Sequence, residues 1–207
     1  MFHLVLLLFL ISSSVYGVEI NTGNLLNNSG FTGGTSSWTN HGATQQHHPN
    51  YGNECGKPTS PSAICGITKG SLAGVDNGGV NQTIKLTEKT QMTQSEINNG
   101  FTSTMSNDIW FWGGTDSVTM TQELTDSSNN TSTQTRTVTG NHNYYQTYTD
   151  TATVGVNTST DYNIKVTIDI DDSSNSSGHG GPDVDNVKLN MSLFLKYLFK
   201  SYISLKV

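Results

Sequence analysis

The residues best suited to meet a ligand lie in the stretch Ile109 to Gly114, IWFWGG, and among the tyrosines at 144, 145 and 148. Along an extended backbone successive side chains alternate between faces, so Ile109 and Phe111 point one way and Trp110 and Trp112 the other. With the first pair in the core, the two indoles form apolar platforms that each carry a hydrogen-bond donor, a combination suited to the CH-rich face of a sugar ring. Trp110, Trp112, Tyr144 and Tyr145 are therefore the expected ligand-binding residues, with a polysaccharide or glycan as partner. The competing expectation is that these indoles are buried beneath the adjoining loop, where large aromatics usually sit.

The carboxylates fall into two groups. If Asp183 to Asn190 is a regular strand, Asp185 shares a face with Val187 and Leu189 and points toward the core, where its charge must be compensated. Backbone amides of the first strand would do so without a metal. Asp169, Asp171 and Asp172 form a second cluster whose spacing is not that of an EF-hand loop, and a solvated strand end accounts for it. His47 and His48 are adjacent and so point to opposite faces of any strand, while His41, His142 and His179 are scattered and read as solvated loop residues. No G-x-S-x-G elbow, P-loop or H-E-x-x-H motif occurs, and nothing pairs two carboxylates across a cleft, so a non-enzyme is expected.

The elements that must position these groups are strands. The chain holds 29 Thr, 21 Asn and 21 Gly with only 13% charged residues, a composition for half-buried pleated surfaces joined by turns. Strict alternation predicts strands over Ser117 to Leu124 and Asp161 to Asp171, and weaker alternation adds Val80 to Leu86, Phe101 to Met105, Thr133 to Thr139 and Tyr144 to Val156. Short strands at this rhythm imply an all-β, antiparallel two-sheet sandwich. One short helix is expected over Thr93 to Asn99, where Thr93 and Glu96 make a capping box and Gly100 follows as the left-handed stop.

The ends differ from the body. Residues 1–17 open with an apolar run, Leu4 to Ile11, and read as a secretory signal peptide, although His3 stands where Lys or Arg is usual. Residues 22–190 form the expected domain, and residues 191–207 an apolar and basic tail. That tail is either an amphipathic segment able to contact a membrane or an extension beyond the domain. All 16 acids precede it, so the body is acidic and no nucleic-acid partner is expected. In an exported chain Cys55 and Cys65 are expected to form a disulfide across a short loop; the alternative is a pair of free thiols.

The opening Asn24 to Trp38, NLLNNSGFTGGTSSW, and the closing Gly180 to Leu189, GGPDVDNVKL, resemble the first and last strands of CenC-type carbohydrate-binding modules. The resemblance implies the galactose-binding-like jelly-roll fold, with Trp38 as a packing residue. It also implies a structural calcium held by Asp185 and carbonyls of the opening segment around Asn24. Members of that family often carry an acid just after the Phe of the opening strand, where this chain has Thr32. The function implied is non-catalytic glycan binding by a protein that is secreted or lies on a virion surface. The alternative is a structural or adhesive display protein of a virion or envelope, without sugar affinity.

Overall fold

The computed structural model describes residues 15–31, 35–47, 65–69, 77–111, 116–140, 145–155, 161–171 and 182–198. In chain order the elements are β1 (Val15–Asn21), β2 (Thr39–Asn40), β3 (Ala43–His47), β4 (Cys65–Lys69), β5 (Asn77–Lys85), α1 (Leu86–Lys89) and α2 (Gln94–Asn98). Then follow β6 (Phe101–Trp110), β7 (Ser117–Asp126), β8 (Thr131–Thr139), β9 (Gln146–Val154), β10 (Tyr162–Asp171) and β11 (Asp183–Leu198). Sheet A has the order β3-β4-β11-β6-β9, with β1 also paired to β11, and sheet B the order β2-β5-β10-β7-β8. Every pairing among these strands is antiparallel, and the two sheets make the expected jelly-roll sandwich.

The alternating pattern does what period two requires. Along β7 intermediate and buried residues alternate without a break, so Val118, Met120 and Leu124 enter the core. Along β10 Ile164, Val166, Ile168 and Ile170 do the same. Sheet A answers with Phe101, Met105, Ile109, Val184, Val187, Leu189 and Met191. On the outer side of sheet B, Thr119–Thr137, Thr121–Thr135 and Thr125–Thr131 join hydroxyls across β7 and β8 at 3.0 to 3.4 Å. Such directly opposed pairs are the unit of sheet stabilisation and explain why threonine is so abundant here.

The short helix forms as its cap predicts. Thr93 Oγ1 accepts from the Glu96 amide, the Glu96 carboxylate accepts from the Thr93 amide, and Gly100 takes φ 97° at the far end. Ile97 on its inner side is fully buried.

The two ends of the domain are stitched together along β11, between its pairings with β4 and β1. The amide of Leu25 donates to the Leu189 carbonyl, that of Thr22 to the Met191 carbonyl, and that of Val187 to the Ser29 carbonyl. Asn24 Oδ1 accepts from both the Leu26 and the Leu189 amides, at 3.2 and 3.0 Å. β11 runs through residue 190, where the change in composition marks the start of a tail, and Met191 and Leu193 are buried in the same core. Among the described residues no helix is long and apolar enough to cross a membrane. Residues 1–14, most of the expected signal peptide, lie outside the described residues, as does Cys55; Cys65 is the first residue of β4.

Candidate functional site

Trp110 ends β6 and stands directly opposite Asp183 of β11. Two residues back, Asp108 stands opposite both Asp185 of β11 and Thr147 of β9. Alternation therefore gathers Trp110, Asp108, Asp185 and Thr147 on the outer face of sheet A. From this end a strip of short polar side chains continues along the same face: Ser106, Thr104 and Thr102 on β6, with Thr149, Thr151 and Thr153 beside them on β9. Trp110, expected to bind a ligand, and Asp185, expected to bind a metal, thus occupy one corner.

Trp110 is not the open platform its phase suggests. It is only 8% exposed, and the Tyr145 ring meets it edge-on with centroids 5.3 Å apart and planes at 65°. The edge-to-face geometry suits the quadrupoles of the two rings, and it leaves half-buried Tyr145 as the more accessible aromatic of the pair. Ile109 and Phe111 are fully buried, as the alternation requires. Trp112 and Tyr144 lie outside the described residues.

Asp185 does not follow the expected phase either. The register slips between Asp185 and Lys188, and Asn186 takes φ 51°, the left-handed conformation that asparagine tolerates better than most residues. This bulge places one extra residue before Val187, so Val187 and Leu189 face the core while Asp185 shares the outer face with Asp108. Asp185 is nevertheless 9% exposed, with the opening segment near Gly30 beside it. Burial pushes its carboxyl up to about 7; the Asn186 amide, 2.6 Å from Oδ1, opposes this, and the neighbouring Asp108 charge adds to it. Asp108 is held by the Thr147 hydroxyl at 2.5 Å on Oδ1 and the Asn186 carboxamide at 2.9 Å on Oδ2.

These contacts bear on calcium, which takes six to eight oxygen ligands. Asp185 fits the role of a partly satisfied carboxylate in a desolvated corner. The other expected ligands are backbone carbonyls of the opening segment around Asn24; the Asn24 side-chain oxygen itself is engaged by the Leu26 and Leu189 amides. Among the described residues no group of three or more His, Cys, Asp and Glu side chains converges on a metal position.

A second constellation escaped the sequence reading. His41 Nε2 lies 2.8 Å from Asp169 Oδ1, although 128 positions separate the two residues. Neither is a lone solvated group. They line an open cleft of about 360 Å³ on sheet B together with Gly78, Ser117, Thr119, Ile170 and Asp171. Only the pairing of β10 with β5 and β7 brings these residues together, so no local signal could have found it.

No family model and no curated protein matches the chain. Among solved structures it is similar to an arabinose-bound α-L-arabinofuranosidase, at 14% identity and TM-score 0.48, covering 82% of this chain and 26% of that one. It is also similar to a family 16 carbohydrate-binding module, at 16% identity and TM-score 0.46, covering 80% of this chain and 99% of that one. A cyclase from Fischerella sp. TAU is similar at 14% identity and TM-score 0.48, covering 83% of this chain and 98% of that one. Carbohydrate-binding modules are among its structural neighbours. This chain spans about a quarter of the arabinofuranosidase.

Proposed function

We propose that this chain is a secreted, non-catalytic carbohydrate-binding module that holds a glycan on the outer face of sheet A, at the end where Trp110 packs against Tyr145. The observation that carries the reading is the junction of that aromatic pair with the Asp108–Thr147–Asn186 network at the head of a strip of threonine and serine. An aromatic edge matches the CH face of a sugar ring, and fixed carboxylate, hydroxyl and carboxamide groups match its hydroxyls. Both oxygens of Asp108 are engaged by neighbours, which suits a positioning group better than a free base. The apolar leader supports export.

A glycan array followed by calorimetry on the hits tests this reading. Tyr145→Ala and Asp108→Asn should each weaken binding while the melting transition stays cooperative. Undiminished affinity in both variants overturns the site. A wild-type chain that binds no saccharide yet co-purifies with particles overturns the function in favour of structural display.

A further inference from the structure

We infer that the cleft around His41 and Asp169 on sheet B is a second saccharide site, on the face opposite Trp110 and Tyr145, so that one chain holds two sugars on its two sides. The ligand class rests on the reading above; the site itself does not.

The cleft is built and not incidental. His41 occupies the space above Gly79: a Cβ on that glycine would collide with His41 Nε2 and with the Ile168 carbonyl. The His41 amide donates to the Gly79 carbonyl at 2.9 Å, which anchors the loop over the strand. Gly78 serves the same closeness, since a Cβ there would meet the Gly42 carbonyl at 2.6 Å. Gly79 thus omits the side chain that would bar the imidazole from Asp169, and Gly78 the one that would push away the backbone at Gly42.

The lining selects the ligand. Asp169 and Asp171 are two apart on the exposed face of β10, about 6.7 Å along the strand, with Thr119 and Ser117 directly opposite on β7. Carboxylates only accept hydrogen bonds, and the hydroxyls of Ser117 and Thr119 can accept as well as donate, so the occupant must bring several donors. A neutral sugar ring does so through its hydroxyls. Among the described residues no Lys or Arg lines the cleft, so phosphate, sulfate and uronate groups would meet two carboxylates without a Lys or Arg to offset them. The volume lies within the usual range for small-molecule sites.

The test titrates the isotopically labelled full chain with methyl glycosides of glucose, galactose and mannose, following backbone amides by NMR. At least one glycoside is expected to shift the amides of Gly78, Gly79, Ser117 and Thr119 saturably. Asp169→Asn and Asp171→Asn should each weaken that response roughly tenfold, in line with loss of a hydrogen bond to a charged group. Tyr145→Ala should leave it intact. The wild-type shifts need no substitution, so a variant that misfolds does not blunt the test. Shifts confined to amides around Tyr145, Asp108 and Thr147 overturn the second site and leave the first. Shifts confined to the His41 cleft support the second site and overturn the first. No response anywhere to any of the three overturns this site, and an array equally blank removes the function with it.

Discussion

Asp185 and Asp108 face each other across β11 and β6, and Asn186 bonds to both: its amide donates to Asp185 and its carboxamide to Asp108. The bulge is therefore what holds two carboxyl groups side by side. One residue in the left-handed conformation supplies a donor to each, at the point where like charges would otherwise repel.

This arrangement makes stability depend on pH in a defined window. Asp185 is raised in the folded state from an ordinary value of 3.8 to about 7, so the fold prefers its protonated form. Its stabilising contribution is complete below about pH 4 and is lost as pH rises through 7. Over that interval the loss is on the order of 4 kcal/mol as an upper bound. Asp185→Asn keeps an oxygen for the Asn186 amide and removes the titration. Urea midpoints of the two proteins should coincide near pH 4 and diverge toward pH 8, with the Asn variant the more stable. Parallel curves across the range would contradict the burial of this carboxyl.

Chelation examines the same corner from the other side. With Asn24 Oδ1 committed to two amides, EDTA should leave the melting midpoint at pH 7 unchanged, and millimolar calcium should not raise it. A rise that vanishes in Asp185→Asn would instead mean that carbonyls of the opening segment coordinate the ion.

The Asn24 side chain should matter for stability in its own right. It joins the opening segment to β11 by accepting from Leu26 and Leu189 at once. Asn24→Ala strands two partly buried amides and is expected to cost about 1–3 kcal/mol. Asn24→Asp keeps the acceptor and should recover most of it. Equilibrium urea denaturation of the three proteins decides.

Trp110→Ala is expected to be a stability variant before it is a binding variant. At 8% exposure its indole is packed, and truncating a buried Trp costs about 3–5 kcal/mol. Tyr145→Ala removes a half-buried ring and should cost much less, so weaker glycan affinity in that protein reports the missing aromatic ring and not a damaged fold. Calorimetric melting of both variants checks the order.

What the residues announced and what they hid divide along one line. β7, β10 and the capped helix were legible because period two, a Thr-x-x-Glu cap and a glycine stop are local. The resemblance at Asn24 and Gly180 also located the pairing of beginning and end. Strict alternation puts Asp185 on the wrong face, because a bulge inverts phase without changing composition and Asn186 is one of 21 asparagines. Trp110 could be read either as an open platform or as buried beneath a loop, and its 8% exposure, with Tyr145 packed against it from 35 positions on, decides for burial. His41 is the exposed loop residue expected; its partner stayed hidden because it is contributed by β10, 128 positions away.

The bulge has a last consequence inside the sandwich. Asp185 pairs with Asp108 and Lys188 with Ser106, so Asn186 and Val187 together oppose Asn107 on β6. Asn107 is fully buried, and neither its Nδ2 nor its Oδ1 has a hydrogen-bond partner among the described residues. Its neighbourhood contrasts with the polar contact nearby, where Ser103 donates to Gln122 at 2.7 Å and Gln122 donates to the Asp150 carbonyl at 3.2 Å. A desolvated carboxamide with nothing to bond costs about 1–3 kcal/mol, and leucine has the same branched skeleton of non-hydrogen atoms with no polar group to satisfy. Asn107→Leu should therefore raise the urea midpoint, whereas Ser103→Ala, which leaves Gln122 Oε1 short of its donor, should lower it. If Asn107→Leu lowers the midpoint instead, the carboxamide is satisfied by an enclosed water, and the bulge has made room for it.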